Sequence, residues 1–194
     1  MKLGEAPSDA VLAIRAARGD ERAFADLVRR HNEPLYRFLR RYSGNADEAY
    51  EAAHEAFIAA WTAIRRYDPE RSFVAWLRTI AINKARDRAR RANVRRFLFG
   101  EEGLEERGAL SEPDPSAPAD ALVIERQDMA TLDHAIAQLP AALKEPLLLT
   151  AFEGWSQQEA GEIMGVSAKT IETRIHRARK ILAHTLDPAL RPAS

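Results

Sequence analysis

Two stretches of helical patterning, separated by some twenty residues with none, constrain this chain more than any other feature. In residues 168–182, Ile171, Ile175, Ala178 and Leu182 fall on one face when positions are set about 100° apart. In residues 45–66, Ala49, Ala53, Phe57, Ala60 and Ile64 form a comparable stripe, and Phe73, Leu77 and Ile80 begin a third. Nowhere does apolar and polar alternate with period two for long, and Ala, Leu, Arg and Glu dominate. That composition and period predict an all-α chain. Helices are expected after Ser8 and Asp9, over about residues 21–42 with Pro34 kinking or splitting the helix, over 45–66, and over about 72–91. Asp68-Pro69-Glu70 reads as a turn, and Ser72 can cap the helix that follows.

Between the two stretches the pattern stops. Residues 100–120 hold Gly100, Gly103, Gly108, Pro113, Pro115 and Pro118 among acids and small residues. The expected organisation is two small helical domains, 8–96 and 121–187, joined by a flexible acidic linker over 97–120. The tail after residue 186, with two prolines, is expected to fray.

Charge matters through its distribution. The formal net charge is zero. Residues 11–96 nevertheless carry 19 Lys/Arg against 11 Asp/Glu, and residues 101–120 carry one Arg against seven acids. Neutrality therefore comes from cancellation between segments, which leaves a nucleic-acid partner open. The chain has no cysteine, which excludes disulfides, thiolate catalysis and Cys-ligated zinc. No apolar run approaches the ~18 residues of a membrane span, and the first twenty residues lack a signal-peptide pattern. The expected setting is cytoplasmic, without membrane insertion.

The most specific motif is a helix-turn-helix. Ser156-Gln157-Gln158-Glu159 fits a capping box, and Gly165-Val166-Ser167 makes a turn in which Gly ends one helix and Ser caps the next. Opposite the apolar stripe of the second helix lie Lys169, Thr173, His176, Arg177 and Lys180, with Arg174 and Arg179 on the flanks. Residues 168–180 carry five basic residues and one acid. An apolar back with a polar front and basic flanks suits a helix in the major groove. Front residues meet base edges there, and flanking arginines meet phosphates. A solvated basic face would show the same charge; the capped turn and the partner helix favour DNA.

The first half has two opposed faces. Residues 71–96 carry nine basic residues and one acid, and Trp76, Thr79, Asn83, Arg86 and Arg90 line one edge of their helix. Such a strip can stack on bases and bind phosphates, although Trp76 taken alone reads as simply packed. On the helix over 45–66, Glu48, Glu51, Glu55 and Thr62 share an exposed face. An acidic stripe cannot serve DNA. It is either solvated or meets a basic partner protein. Glu51-x-x-His54 with Glu55 has the spacing of a di-iron helix, but that site needs a second such motif, and none occurs. No enzyme, metal or cofactor is expected.

Taken in order, these segments resemble the sigma-70 family, in its extracytoplasmic-function (ECF) group. RGDERAF at 18–24 resembles the group's opening stretch, and FVAWLRTIAIN at 73–83 resembles the segment that enters the −10 element. Leu139-Pro140, Gly154-Trp155-Ser156 and the stretch from Val166 through Arg179 resemble the −35-binding domain. The resemblance implies a sigma region 2-like bundle and a sigma region 4-like helix-turn-helix. It implies core RNA polymerase, promoter DNA and an anti-sigma factor as partners. Glu48, Glu51, His54 and Glu55 would face the polymerase clamp. Asp68, Ser72, Trp76, Asn83, Lys84, Arg86 and Arg90 would serve the −10 element. Lys169, Thr170, Thr173, Arg174, His176, Arg177, Arg179 and Lys180 would serve the −35 element. The chain departs from the family at its clamp-facing run. An Asp-Leu-Val-Gln-Glu-like run is usual, and here residues 51–55 read EAAHE after Tyr50, which implies a weaker grip on the clamp. A helix-turn-helix regulator acting without polymerase is the alternative reading.

Overall fold

A computed structural model describes residues 7–99 and 121–186. The linker expected at 97–120 lies outside these residues except for 97–99, and the tail expected to fray lies outside them entirely. Every regular element among the described residues is helical.

Local chemistry starts each helix of the first half. Helix α1 (Asp9–Ala17) is capped by Ser8, whose side chain accepts from the Val11 amide. Helix α2 (Glu21–Ser43) is capped by Asp20, which accepts from the Ala23 amide at 3.1 Å and is also held by Arg15. Both interactions keep the Asp20 carboxyl below its ordinary value, the backbone hydrogen bond contributing most. Pro34 lies inside α2, so of the two expected outcomes it does not split the helix. Helix α3 (Ala46–Ala63) is capped by Asn45 and tightens into one 3-10 turn, Ile64–Arg66, rather than staying α-helical to residue 66. Ser72 caps α4 (Phe73–Phe99), which runs eight residues past its expected end near 91 and crosses the expected domain boundary at 96.

The second half begins at α5 (Ala121–Gln138). Helix α6 (Ala141–Leu147) passes into a π turn, Leu148–Phe152, and α7 (Gln157–Met164) and α8 (Ala168–Leu186) follow. The predicted core stripe of α3 is buried, and so are Ile171, Ile175, Ala178 and Leu182 of α8. A fully buried Ile such as Ile171 stabilises by about 1.5–3 kcal/mol relative to leaving it exposed.

The two halves pack on each other. Helix α2 meets α5, α4 meets α7, and the buried side chains of both halves join in one contiguous cluster. Gly44 ends α2 with φ +74, and a Cβ there would lie 2.8 Å from the Ala137 Cβ of α5. Such an approach is open only to glycine.

Candidate nucleic-acid interface

The helix-turn-helix is assembled by its caps. Ser156 Oγ accepts from the Glu159 amide at 3.2 Å, and the Glu159 carboxylate accepts from the Ser156 amide at 2.8 Å and its hydroxyl at 2.7 Å. These bonds, the side-chain one foremost, hold Glu159 below its ordinary value. Gly165 ends α7 in the left-handed region at φ +68, and Ser167 caps α8 by accepting from the Thr170 amide. Gly161 lets the turn close: a Cβ there would meet the Val166 carbonyl oxygen at 2.6 Å.

Helix α8 packs on α5, α6 and α7 and presents its other side to solvent. Lys169, Thr173, His176, Arg177, Arg179 and Lys180 are exposed, while Thr170 and Arg174 are half-buried. Lys169 pairs with Glu172 at 2.7 Å, Thr173 donates to the Lys169 carbonyl, and Thr170 bonds the Ser167 hydroxyl. The distal part of the helix, from His176 to Lys180, is left as an open basic surface with donors spaced along one groove-sized face.

The strip on α4 is less open. Trp76 is half-buried in an aromatic cluster, its ring centroid 5.2 Å from Tyr67 and 5.7 Å from Phe73. Beside it, Tyr67 donates to the Arg71 carbonyl, and exposed Asp68 accepts from the Glu70 amide. Ser72 is exposed and spent on its cap. Asn83 and Arg90 are exposed and Lys84 is half-buried. Arg86 is turned toward the second half: its Nε donates to Glu145 Oε1 at 2.8 Å, and a second nitrogen donates to Oε2. That bond holds the Arg86 guanidinium above its ordinary value. Arg78, one of the nine basic residues counted over 71–96, is only 2% exposed. It lies against Phe38 and is paired with Glu153. Burial pulls its guanidinium below the ordinary value, and Glu153 opposes that pull. Thr79 donates to Ala75 and also reaches the Ile163 carbonyl of α7 at 3.5 Å.

The acidic stripe of α3 is also engaged. Arg88 from α4 bridges Glu51 and Glu55, the latter at 2.8 Å. Glu48 is exposed at the start of α3. His54 stands apart from them and lines a groove between α2 and α3 with Tyr50, Phe57, Ile58, Trp61 and Phe24. Tyr50 is 70% exposed and Ile58 54%, so this groove is an open apolar surface. Sequence reasoning missed it. The signal was Tyr50, Phe57, Ile58 and Trp61 recurring beside the alanine stripe. Ala52 and Ala53 are buried, so the departures of this run that reach the surface are His54, the preceding Tyr50 and Glu51 in place of Asp. Among the described residues, no three His, Asp or Glu side chains gather as a metal site, and no helix is long and apolar enough to cross a membrane.

Comparison with known proteins places these faces in a family. Residues 27–95 match the family model Sigma-70 region 2, and residues 129–182 match Sigma-70, region 4. The RNA polymerase sigma factor CnrH of Cupriavidus metallidurans is 38% identical over 183 residues, covering 93% of this chain and 95% of that protein. The ECF RNA polymerase sigma factor SigW of Bacillus subtilis is 35% identical over 173 residues, covering 87% and 91%. Among solved structures, CnrH in complex with the cytosolic domain of CnrY aligns with a TM-score of 0.66 at 32% identity, covering 92% of this chain and 97% of that one. With both regions matched in order and relatives aligned over most of their length, the chain belongs to the sigma-70 family of RNA polymerase sigma factors, in its ECF group.

Proposed function

We propose that this protein binds core RNA polymerase, recognises −35 and −10 promoter elements and helps open the promoter, without catalysing a reaction itself. The observation that carries the reading is α8: a buried apolar back, a double-capped turn and an exposed front running from Lys169 to Lys180. His176, Arg177 and Thr173 read bases of the −35 element, and Lys169, Thr170, Arg174, Arg179 and Lys180 hold its phosphates or flank it. Asp68, Ser72, Trp76, Asn83, Lys84, Arg86 and Arg90 serve the −10 strand. Glu48, Glu51, His54 and Glu55 face the polymerase clamp. The likeness to CnrH, solved in complex with the cytosolic domain of CnrY, supports a further protein partner, which we read as an anti-sigma factor.

Run-off transcription with core polymerase on a genomic promoter library tests the reading. Initiation above the core-alone background is expected, and its absence would sink the proposal. A regulator acting without polymerase would bind the same DNA equally well with or without core. Because Ala52 and Ala53 are core positions, the weaker clamp grip rests on His54 and Tyr50. His54→Gln is expected to tighten core binding in a titration, and unchanged affinity would remove that idea.

A further inference from the structure

One basic residue of α4 is spent neither on the −10 edge of the helix nor on a carboxylate of the second half. Arg88 sits about 140° round the helix from Asn83 and about 200° from Arg86, away from the strip. Its guanidinium bridges two carboxylates of α3: one nitrogen donates to Glu55 Oε1 at 2.8 Å, and the other donates to Glu51 Oε2. The Arg88 side chain is 25% exposed, Glu55 31% and Glu51 60%, so the cation lies innermost and the acids lie toward solvent. Buried Ala52 and Ala85 border the recess that Arg88 lines, and their small side chains leave room for its stem between α3 and α4. Each carboxylate spends a single oxygen on the bridge. Glu51 Oε1 and Glu55 Oε2 accept no hydrogen bond among the described residues. One cation among the carboxylates of Glu48, Glu51 and Glu55 leaves the stripe acidic. Without it, Glu51 and Glu55, one turn apart, would repel each other and rotate independently.

We infer that Arg88 is a positioning residue for the polymerase contact, holding Glu51 and Glu55 side by side with one oxygen of each free for a basic side chain of the clamp. This rests on the reading of α3 as the clamp-facing helix. The bridge acts in two ways. It takes rotamer freedom from both carboxylates before docking, so less is lost when the partner binds. It also offsets their mutual repulsion without using up the acceptors that a partner needs, since an ionised carboxylate offers about four lone-pair sites. A guanidinium suits the task because its planar fork places two donors at once, whereas a lysine ammonium is a point charge on a flexible stem.

A double-mutant cycle on the affinity of the full-length chain for core polymerase tests the assignment. Arg88→Met keeps an apolar stem and removes the fork. Glu51→Gln together with Glu55→Gln removes the charges that the fork holds. Fluorescence titration of labelled chain with core polymerase reads affinity, and thermal melts followed by circular dichroism confirm folding. Arg88→Met is expected to weaken core binding on the order of tenfold, and to have no further effect once both glutamates are glutamine. Arg88→Lys should recover only part of the loss, and it carries the same cycle if Arg88→Met does not fold. Unchanged or tighter core binding by Arg88→Met overturns the assignment, tighter binding marking Arg88 as a competitor of the clamp. Full recovery by Arg88→Lys also overturns it, because charge alone would then suffice. So does an undiminished Arg88→Met effect in the double-glutamine chain, because Arg88 would then act other than through the carboxylates. Failure of the underlying reading is seen separately: if the double-glutamine chain binds core polymerase as tightly as the parent, α3 is not the clamp-facing helix and the assignment falls with it.

Discussion

Replacing Gly161 with Ala ought to stabilise α7, and the tertiary structure predicts the opposite. In a helix interior Ala is favoured over Gly by about 0.8–1.0 kcal/mol. At Gly161, however, the new Cβ would sit 2.6 Å from the Val166 carbonyl oxygen, where backbone rather than a flexible side chain must yield. That carbonyl cannot swing away freely, because the Val166 amide donates back to the Gly161 carbonyl at 2.9 Å within the same turn. Forcing extra atoms into a packed site costs about 1–3 kcal/mol. Set against the propensity gain, the net is a destabilisation of up to about 2 kcal/mol. Separation of α7 from α8 should also weaken binding to −35 duplex DNA, although no side chain on the exposed front of α8 has changed. Gly165 supplies the contrast. Its φ is +68 and nothing lies within 4 Å of an added Cβ, so Gly165→Asn should be tolerated. Chemical denaturation followed by circular dichroism, with duplex binding by anisotropy, measures both. A Gly161→Ala chain more stable than its parent would refute the close-approach argument outright.

Other consequences follow from the same contacts. Arg78→Met leaves Glu153 without its buried partner and should cost about 3 kcal/mol. Arg78→Met combined with Glu153→Met should recover much of that loss, and a denaturant double-mutant cycle showing simple additivity would remove the pair from the account. Stability should fall on acidification, because the folded values of Asp20 and Glu159 lie below their unfolded values of 3.8 and 4.5. Their contribution is complete above those unfolded values and is lost as pH falls through the folded ones. Glu159→Gln should flatten that slope in thermal melts between neutral and acid pH. On DNA, Arg177→Ala should cost about 1–3 kcal/mol at one base position. Arg179→Ala should instead weaken all sequences alike and lower the salt slope by about 1. Binding titrations at several salt concentrations separate the two.

Much of the helix-turn-helix of the second half was legible from residues alone, because it depends on short-range rules. The capping box from Ser156 to Glu159, the left-handed Gly165 and the stripe from Ile171 to Leu182 all act within one or two turns. The same holds for the caps at Ser8 and Ser72. Where local rules ran into packing, they misjudged. Pro34 sits inside an unbroken α2 because tertiary contacts on Leu35, Phe38 and Leu39 hold the helix through it. The apolar groove between α2 and α3 was hidden in the alanine stripe because which aromatic faces outward depends on where α2 lies.

What the sequence by itself determined is the helical class, the capped turn, the basic front of α8 and the neutral charge built from opposed segments. Only the tertiary structure decided which basic residues remain free to act. Arg78, Arg86 and Arg88 look alike in a charge count, yet one is buried against Glu153, one is held by Glu145 and one bridges Glu51 and Glu55. Their partners lie 75, 59 and 33 or more residues away. A charge's availability is set by the field and solvent around it, and no pattern of neighbours along the chain encodes a carboxylate brought in from so far.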